Sequence, residues 1–387
     1  KKVIVSSLNA LKCTVELLKK NWSTKQWKTY WLFIFYKQML RFDWDWTEIY
    51  YNFYGKFVAG QPVRFPKDIY SIFPLSFCYN TFLTEQYVAH NNNPVLEDYV
   101  KNLVEDLKYL FIKRLEKNTW LSPSTKKSAL HKLDKLELVV GTPAKLRQDP
   151  ILNYKTDDPW FNMALLSGWK RSQFIQLEGQ DVIDIPEIDW NEFKLVGTQA
   201  YMVNAYYRPT SNSIYCPLAY LQKPFIDMDQ RGIEYNLAYM GYTMGHELSH
   251  SLDDMGSKFD ADGNLNNWWT DSDLTEFEKR GNALAEQYSA IRVMDSVYIN
   301  GKFTLGENIG DLGGVLGAYD GLQLFFETNG RPEDIDGFTA EQRFFMSWAT
   351  VWRTLTREDA LRRQIKTDPH SPGIQRATQP LKNIDAF

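Results

Sequence analysis

Apolar residues recur at spacings of three and four through the first third of the chain, and this is the period of an amphipathic α-helix. Lysine and glutamate fill the positions between them, so residues 8–138 are predicted to be mostly helical. The clearest stripe consists of Leu96, Tyr99, Val100, Leu103, Leu107, Leu110 and Phe111. We interpret such stripes as faces that pack into a core.

Residues 141–169 interrupt the helical pattern. Prolines, aspartates and Gly168 accumulate there, and clusters of these residue types are typical of loops. We therefore predict a helical lobe over residues 1–165 and a second domain over residues 166–387.

The second domain begins with a pattern typical of strands. Residues 199–207 alternate loosely and are rich in tyrosine and valine. Residues 209–212 supply turn chemistry before a short apolar run at 214–216, which predicts a β-hairpin.

Two helices are predicted beyond the hairpin. Residues 232–255 place their apolar side chains on one helical face, and Gly256 stands where a helix commonly stops. Another helix is predicted over residues 306–326. The fold class is therefore mainly α with a small β-sheet, an α+β arrangement.

Composition limits the binding partners and the metal ligands that can be proposed. The 44 Lys and Arg against 48 Asp and Glu give a net charge of −4, so charge provides no reason to propose a nucleic-acid partner. Only three cysteines are present, without a C-x-x-C pair, and this pattern predicts neither a disulfide framework nor a thiolate metal site. A metal would have to be bound by histidine and carboxylate.

Residues 246–250 read H-E-L-S-H, a match to H-E-x-x-H inside the strongest predicted helix. Residues four apart lie on one helical face, so His246 and His250 are predicted to bind one zinc ion. Glu247 is then beside the metal, where it can take a proton from water.

A catalytic zinc site usually has a third protein ligand. The metzincin pattern would need glycine at 253 and histidine at 256, but the chain has Asp253 and Gly256. A carboxylate from a second helix is the remaining route, and Glu307 is the candidate. Asp311, four residues later, and Asp253 are predicted to accept hydrogen bonds from the far nitrogens of the two histidines.

The chain resembles the neprilysin and endothelin-converting enzyme family over nearly its whole length. The resemblance is carried, in the family's order, by segments 203–207, 246–254, 268–270, 305–314, 341–345 and 368–373. It implies a thermolysin-like zinc peptidase lobe plus a helical lobe, with one zinc ion per chain and peptides as substrates.

The resemblance also implies roles for further residues. Asn204 and Ala205 would lie on an edge strand and hydrogen-bond the substrate backbone. His370 would donate to the oxyanion and Arg376 to a substrate carbonyl. The family counterpart of Asp311 is often described as a proton donor, although its spacing favours support of a ligand.

The family's apolar substrate pocket corresponds here to Tyr220, Phe225 and Trp352. Tyr242 and Thr243, directly before the zinc motif, are more polar than that pocket predicts.

The predicted function is a zinc-dependent metalloendopeptidase in which Glu247 assists the attack of water. One alternative is a non-catalytic, zinc-stabilised binding or structural remnant of such a peptidase. Another is a zinc aminopeptidase, but the chain lacks the G-x-M-E-N type motif that anchors a free amino terminus.

Relatives in the family have a longer ectodomain, so the resemblance predicts a missing upstream part, which is a possible partner, and a missing C-terminal tail. Cys78 matches a position that forms a disulfide bridge in the family. Gly281 stands near the position where its partner cysteine would be, so no disulfide is expected. The few cysteines favour an intracellular or bacterial-like protein, although the family includes membrane-anchored ectodomains. No signal or transmembrane segment is visible, and the oligomeric state is open.

Overall fold

The helical pattern predicted for the first third of the chain is confirmed. The computed structural model describes residues 7–142, 150–176 and 199–387. The helices are α1 (Leu8–Asn21), α2 (Lys25–Met39), α3 (Trp44–Tyr50), α4 (Lys67–Cys78), α5 (Asn80–Asn91), α6 (Pro94–Lys117), α7 (Pro123–Asp134), α8 (Pro159–Gln176), α9 (Ile233–Asn236), α10 (Tyr242–His250), α11 (Asp271–Ser289), α12 (Leu305–Asn329), α13 (Ala340–Val351), α14 (Glu358–Thr367) and α15 (Gly373–Thr378). Among these described residues, no helix combines the length and apolar composition that a membrane crossing needs.

The described part of the chain contains five short strands. They are β1 (Glu137–Gly141), β2 (Tyr206–Arg208), β3 (Ser213–Pro217), β4 (Arg292–Met294) and β5 (Val297–Tyr298). In the larger sheet, of order β1-β3-β2, β3 pairs with β1 in parallel and with β2 in antiparallel fashion. The mainly α, α+β fold class is confirmed.

The chain divides into two compact units, Lys1–Leu75 with Leu152–Arg171, and Ser76–Ile151 with Ser172–Phe387. The predicted domain division after residue 165 stays a prediction. In the first unit, α2 exposes several large apolar side chains: Tyr30, Trp31, Leu32, Phe33, Phe35 and Tyr36.

The second unit has a large apolar core. Val100, Leu103 and Leu107 of the predicted stripe on α6 are buried in it. Fully buried side chains from α10, α12 and α13 join them, among them Leu248, Leu322 and Trp348. This core holds the two helices that carry the candidate ligands.

Two predicted boundaries were wrong in detail. The hairpin exists, but its first strand begins at Tyr206, so Asn204 and Ala205 precede the edge strand instead of lying on it. The helix that starts at Ile233 continues through a π-helical segment, Leu237–Gly241, and ends at His250, before the predicted residue 255. Asp253 accepts the backbone N–H groups of Met255 and Gly256, and this turn replaces the last predicted helical turn.

Candidate functional site

The two helices with the candidate ligands touch through their backbones. A Cβ atom on Gly245 of α10 would lie 3.1 Å from the Cα atom of Gly314 on α12. A Cβ atom on Gly314 would lie 2.7 Å from the carbonyl oxygen of Tyr242. Glycine at this crossing therefore lets α10 and α12 approach more closely than any side chain would allow.

His246 and His250 project from α10, one turn apart, towards Glu307 in the first turn of α12. Their Nε2 atoms lie 2.9 Å apart. The Oε2 atom of Glu307 is 3.3 Å from Nε2 of His246 and 3.7 Å from Nε2 of His250. The structure thus brings the three predicted ligand atoms together.

These atoms fit a zinc ion. Tetrahedral ligands at the usual zinc distances are about 3.3 Å from one another, close to the separations found here. The Oε2 atom of Glu307 is buried and makes no hydrogen bond within the described parts of the chain, as expected of an oxygen that a cation would satisfy. One carboxylate and two imidazoles are also a donor set that zinc favours.

Electrostatics at the site also favour a cation. Burial lowers the pKa of His246, but the carboxylates of Asp311 and Glu307 outweigh burial and raise it to about 10. Burial acts to raise the pKa of Glu307, but His246 and His370 hold it well below its ordinary value. The cluster therefore carries negative charge that attracts a proton or a metal ion.

Glu247 lies next to the ring nitrogens of the two candidate histidine ligands. One of its carboxylate oxygens and the ring nitrogens of His246 and His250 are all within 4.8 Å of one another. The side chain is buried but lines the cavity described below. A carboxylate in this place can reach a water molecule beside the metal.

His250 is supported by its own chain segment. Its Nδ1 atom lies 2.6 Å from Oδ2 of Asp253 in a hydrogen bond. Oδ1 of Asp253 accepts the backbone N–H groups of Met255 and Gly256 at 2.8 and 2.6 Å. The carboxylate is therefore fixed on both oxygens, and it fixes the ring in turn.

Lys132 holds the same segment from behind. Its Nζ atom donates to the carbonyl oxygens of Gly256 and Phe259 at 2.6 and 2.7 Å. The side chain is 1% exposed, and burial lowers its pKa to about 8. Sequence reasoning missed this contact, because a lysine on α7 fits an ordinary polar helix position.

Asp311 lies beneath His246 and is fully buried. It accepts two hydrogen bonds from Arg376, at 2.8 Å from Nε and 2.6 Å from Nη2. The hydroxyl of Tyr242 donates to Oδ1 at 2.5 Å, and Nδ1 of His246 is 3.0 Å from the same oxygen. Tyr242 stands one turn before His246 on α10, and that spacing was the available signal for its place in the site.

Most of the remaining predicted residues line one cavity of about 610 Å³ beside the ligand atoms. Its walls include Asn204, Ala205, His370, Arg376 and Trp352. Phe225 is not part of that lining but stacks on Tyr220, with ring centroids 4.5 Å apart. The described lining also contains Tyr220, Tyr242 and Thr243, so the cavity carries hydroxyl groups, in line with the polar residues noted before the zinc motif.

His370 faces the ligand cluster. Its Nε2 atom lies 3.0 Å from Oε2 of Glu307, and its Nδ1 atom lies 2.7 Å from Oδ1 of Asp368. Burial lowers the pKa of His370, but Glu307 outweighs burial and raises it. Asp368 therefore orients the ring at Nδ1, and Nε2 points towards the candidate ligand Glu307.

Two histidines on one helix, a glutamate on a crossing helix and a second glutamate beside them define the class of zinc peptidases with a downstream glutamate ligand. Family comparison then narrows the class. Two models described as peptidase family M13 match residues 204–387 and residues 1–143. The chain belongs to peptidase family M13.

Curated relatives agree with the family. An endothelin-converting enzyme homolog of Locusta migratoria is 31% identical over 81% of this chain and 42% of its own length. Neprilysin-1 of Caenorhabditis elegans is 32% identical over 81% of this chain and 41% of its own length. The chain thus spans about two fifths of the length of these relatives.

Solved structures share the fold. The Mycobacterium tuberculosis zinc metalloprotease ZMP1 in complex with an inhibitor is 33% identical, with a TM-score of 0.77 over 89% of this chain and 51% of its own. PEPO from Lactobacillus rhamnosis is 28% identical, with a TM-score of 0.77 over 90% of this chain and 52% of its own.

Proposed function

We propose that this chain carries the catalytic site of a zinc-dependent metalloendopeptidase that hydrolyses small peptides. The observation that carries the proposal is the convergence of His246, His250 and Glu307 beside Glu247, at the wall of an open cavity. A bound zinc ion would polarise the scissile carbonyl as a Lewis acid and would lower the pKa of its bound water to about 7.

The chain's own residues handle the protons. Glu247 accepts a proton from the attacking water and passes it to the departing amine nitrogen. His370 donates from Nε2 to the oxygen on which negative charge develops, and such a donor typically lowers the barrier by about 3 kcal/mol. No covalent enzyme intermediate is required.

Other residues position the peptide. Among the described strands, β2 is at the edge of its sheet, and Asn204 and Ala205 lead into it along the cavity wall. A substrate backbone can therefore pair beside these two residues as an added strand. Arg376 uses Nε and Nη2 to bind Asp311, so we assign the substrate carbonyl to its Nη1 atom.

Asp311 is proposed as a supporting residue and not as a proton donor. It is 0% exposed and pairs with Arg376, a contact that holds its pKa below the ordinary value although burial acts to raise it. An ionised carboxylate enclosed in this way has no proton to give at neutral pH.

The length of the relatives bears on the whole protein. This chain covers about half of the solved relatives, so the restriction to small peptides is proposed and not taken from those relatives.

The first prediction tests the proposed function with Glu247→Gln, which keeps the shape of the side chain and removes the base. Cleavage of a quenched peptide with a blocked amino terminus should fall by a factor of about 10² to 10⁴, with one zinc per chain retained. The measurements are the rate of fluorescence release and the zinc content. Glu286→Gln, on the exposed side of α11, is the matched control.

The outcomes separate the hypotheses. Full activity in Glu247→Gln would overturn the mechanism. One zinc per chain without activity in either protein would favour the non-catalytic remnant. Activity on unblocked peptides alone would favour an aminopeptidase.

A further inference from the structure

Three donors surround one oxygen of Asp311. Oδ1 lies 2.5 Å from the Tyr242 hydroxyl, 2.6 Å from Nη2 of Arg376 and 3.0 Å from Nδ1 of His246. The other oxygen, Oδ2, accepts from Nε of Arg376 at 2.8 Å. The two oxygens are therefore unequally used.

The number of lone pairs sets a limit on Oδ1. A carboxylate oxygen has about two acceptor positions. Tyr242 and Arg376 occupy both, and Nδ1 of His246 is buried without a hydrogen-bond partner among the described residues. Nδ1 of His246 therefore lies close enough to Oδ1 for a hydrogen bond, at 3.0 Å, but the angle does not allow one.

Tyr242 is firmly held in this place. Its side chain is buried, and its ring packs edge-on against Trp348 and Trp352, with centroids 5.9 and 5.8 Å away. Burial and the neighbouring carboxylate raise the pKa of its hydroxyl well above the ordinary value. The hydroxyl is therefore a permanent donor that competes for Oδ1.

We propose that Tyr242 is a positioning residue whose hydroxyl occupies an acceptor site of Asp311 that His246 would otherwise use, and that it thereby limits the affinity for zinc. A hydrogen bond to the far nitrogen of a ligand histidine strengthens that histidine as a ligand. Removal of the competing hydroxyl should leave Oδ1 to His246. The inference rests on the proposed zinc site.

The test is Tyr242→Phe, which removes only the hydroxyl. Zinc affinity of the zinc-free chain is measured by competition with a chromophoric chelator. We expect the dissociation constant for zinc to fall about tenfold, since outer contacts of this kind commonly change metal affinity by about 10 to 100-fold. Tyr239→Phe is the matched control, because its hydroxyl pairs with Thr350 and its zinc affinity should match that of the wild type.

A second measurement observes the hydrogen bond itself. The chain has five histidines, so ring-proton NMR on ¹⁵N-histidine-labelled, zinc-loaded protein can resolve them. In Tyr242→Phe the Nδ1 proton of His246 should move downfield and exchange more slowly with water. This readout does not depend on activity, and a residue with only a packing role would not change it.

The results divide cleanly. Zinc affinity that is unchanged or weaker in folded Tyr242→Phe, or an unmoved Nδ1 resonance, overturns the inference. Failure of the wild type to bind one zinc ion overturns the proposed metal site instead. Loss of the zinc effect of Tyr242→Phe in an Asp311→Asn background would support the assigned route.

Discussion

The two candidate zinc-binding histidines are one helical turn apart but depend on different regions of the molecule. His250 is oriented by Asp253, which the following turn of the same segment fixes through backbone N–H groups. His246 faces Asp311, a residue of α12 that is shared with Arg376 and Tyr242. Support at His250 is mainly local, whereas support at His246 requires α10, α12 and α15 to be assembled. The local contact should therefore survive changes that disrupt the assembled one.

The largest expected effect comes from Asp311→Ala. The change leaves the guanidinium of Arg376 without its buried partner, and breaking such a pair typically costs about 3–5 kcal/mol. Urea unfolding of the zinc-free chain measures the loss. Asp320→Ala on the same helix removes the surface pair with Arg114 and should cost about 1 kcal/mol or less. Equal costs for the two variants would contradict the assembled character of the His246 region.

A smaller effect is expected from Asp253→Asn. The amide weakens the hydrogen bond to His250 but can still accept from the loop N–H groups, so stability should change little. The dissociation constant for zinc should rise about 10-fold or more. Asp254→Asn is the neighbouring control and should change zinc affinity far less. A loss of global stability in Asp253→Asn, without a loss of zinc affinity, would show that Asp253 mainly stabilises the turn and contributes little to the orientation of His250.

The last prediction concerns the pH dependence of stability that Lys132 contributes. The pKa of Lys132 is about 8 in the folded chain, below the value of about 10.4 for an unfolded lysine. Between these values the unfolded chain binds more protons, so stability rises with pH. Lys132→Met lacks this rise. The unfolding free energy of the wild type should therefore increase relative to that of Lys132→Met from pH 8 to pH 10.

Thermal or urea unfolding at several pH values measures that difference in unfolding free energy. Lys135→Met is the control, because Lys135 is an exposed partner of Asp262 and its pKa is raised by that contact, not lowered. A difference that stays constant in Lys132→Met would mean that the lysine is not held charged against its burial.

Local patterns predicted the parts of the site that depend on local geometry. The i, i+4 spacing of His246 and His250 follows from helical period alone. The helix predicted over residues 306–326 covers most of α12, which runs from Leu305 to Asn329. Glu307 was chosen because a zinc site still short of a ligand needs a carboxylate from a later helix, and because a second acid, Asp311, follows four residues on.

Sequence reasoning did not predict the contacts made by Tyr242 and Lys132, although the spacing of Tyr242 from His246 indicated the face of α10 on which it lies. Tyr242 reaches Asp311 only because two helices cross at glycine, and Lys132 reaches the loop only through the tertiary packing of α7. The early end of α10 was missed for a related reason. Side-chain capture of two N–H groups by Asp253 outweighed an apolar pattern that continued to residue 255.

The backbone contact between Gly245 and Gly314 also determines how the ligand spacing responds to mutation. In most cores, side chains separate the helices, and a gained or lost methyl group changes the distance between their axes. Here the peptide chains themselves act as the spacer between α10 and α12. Substitutions elsewhere in the core can alter stability while the separation of His246 from Glu307 stays constant. The spacing of the candidate ligands is therefore less sensitive to substitutions in the surrounding hydrophobic core.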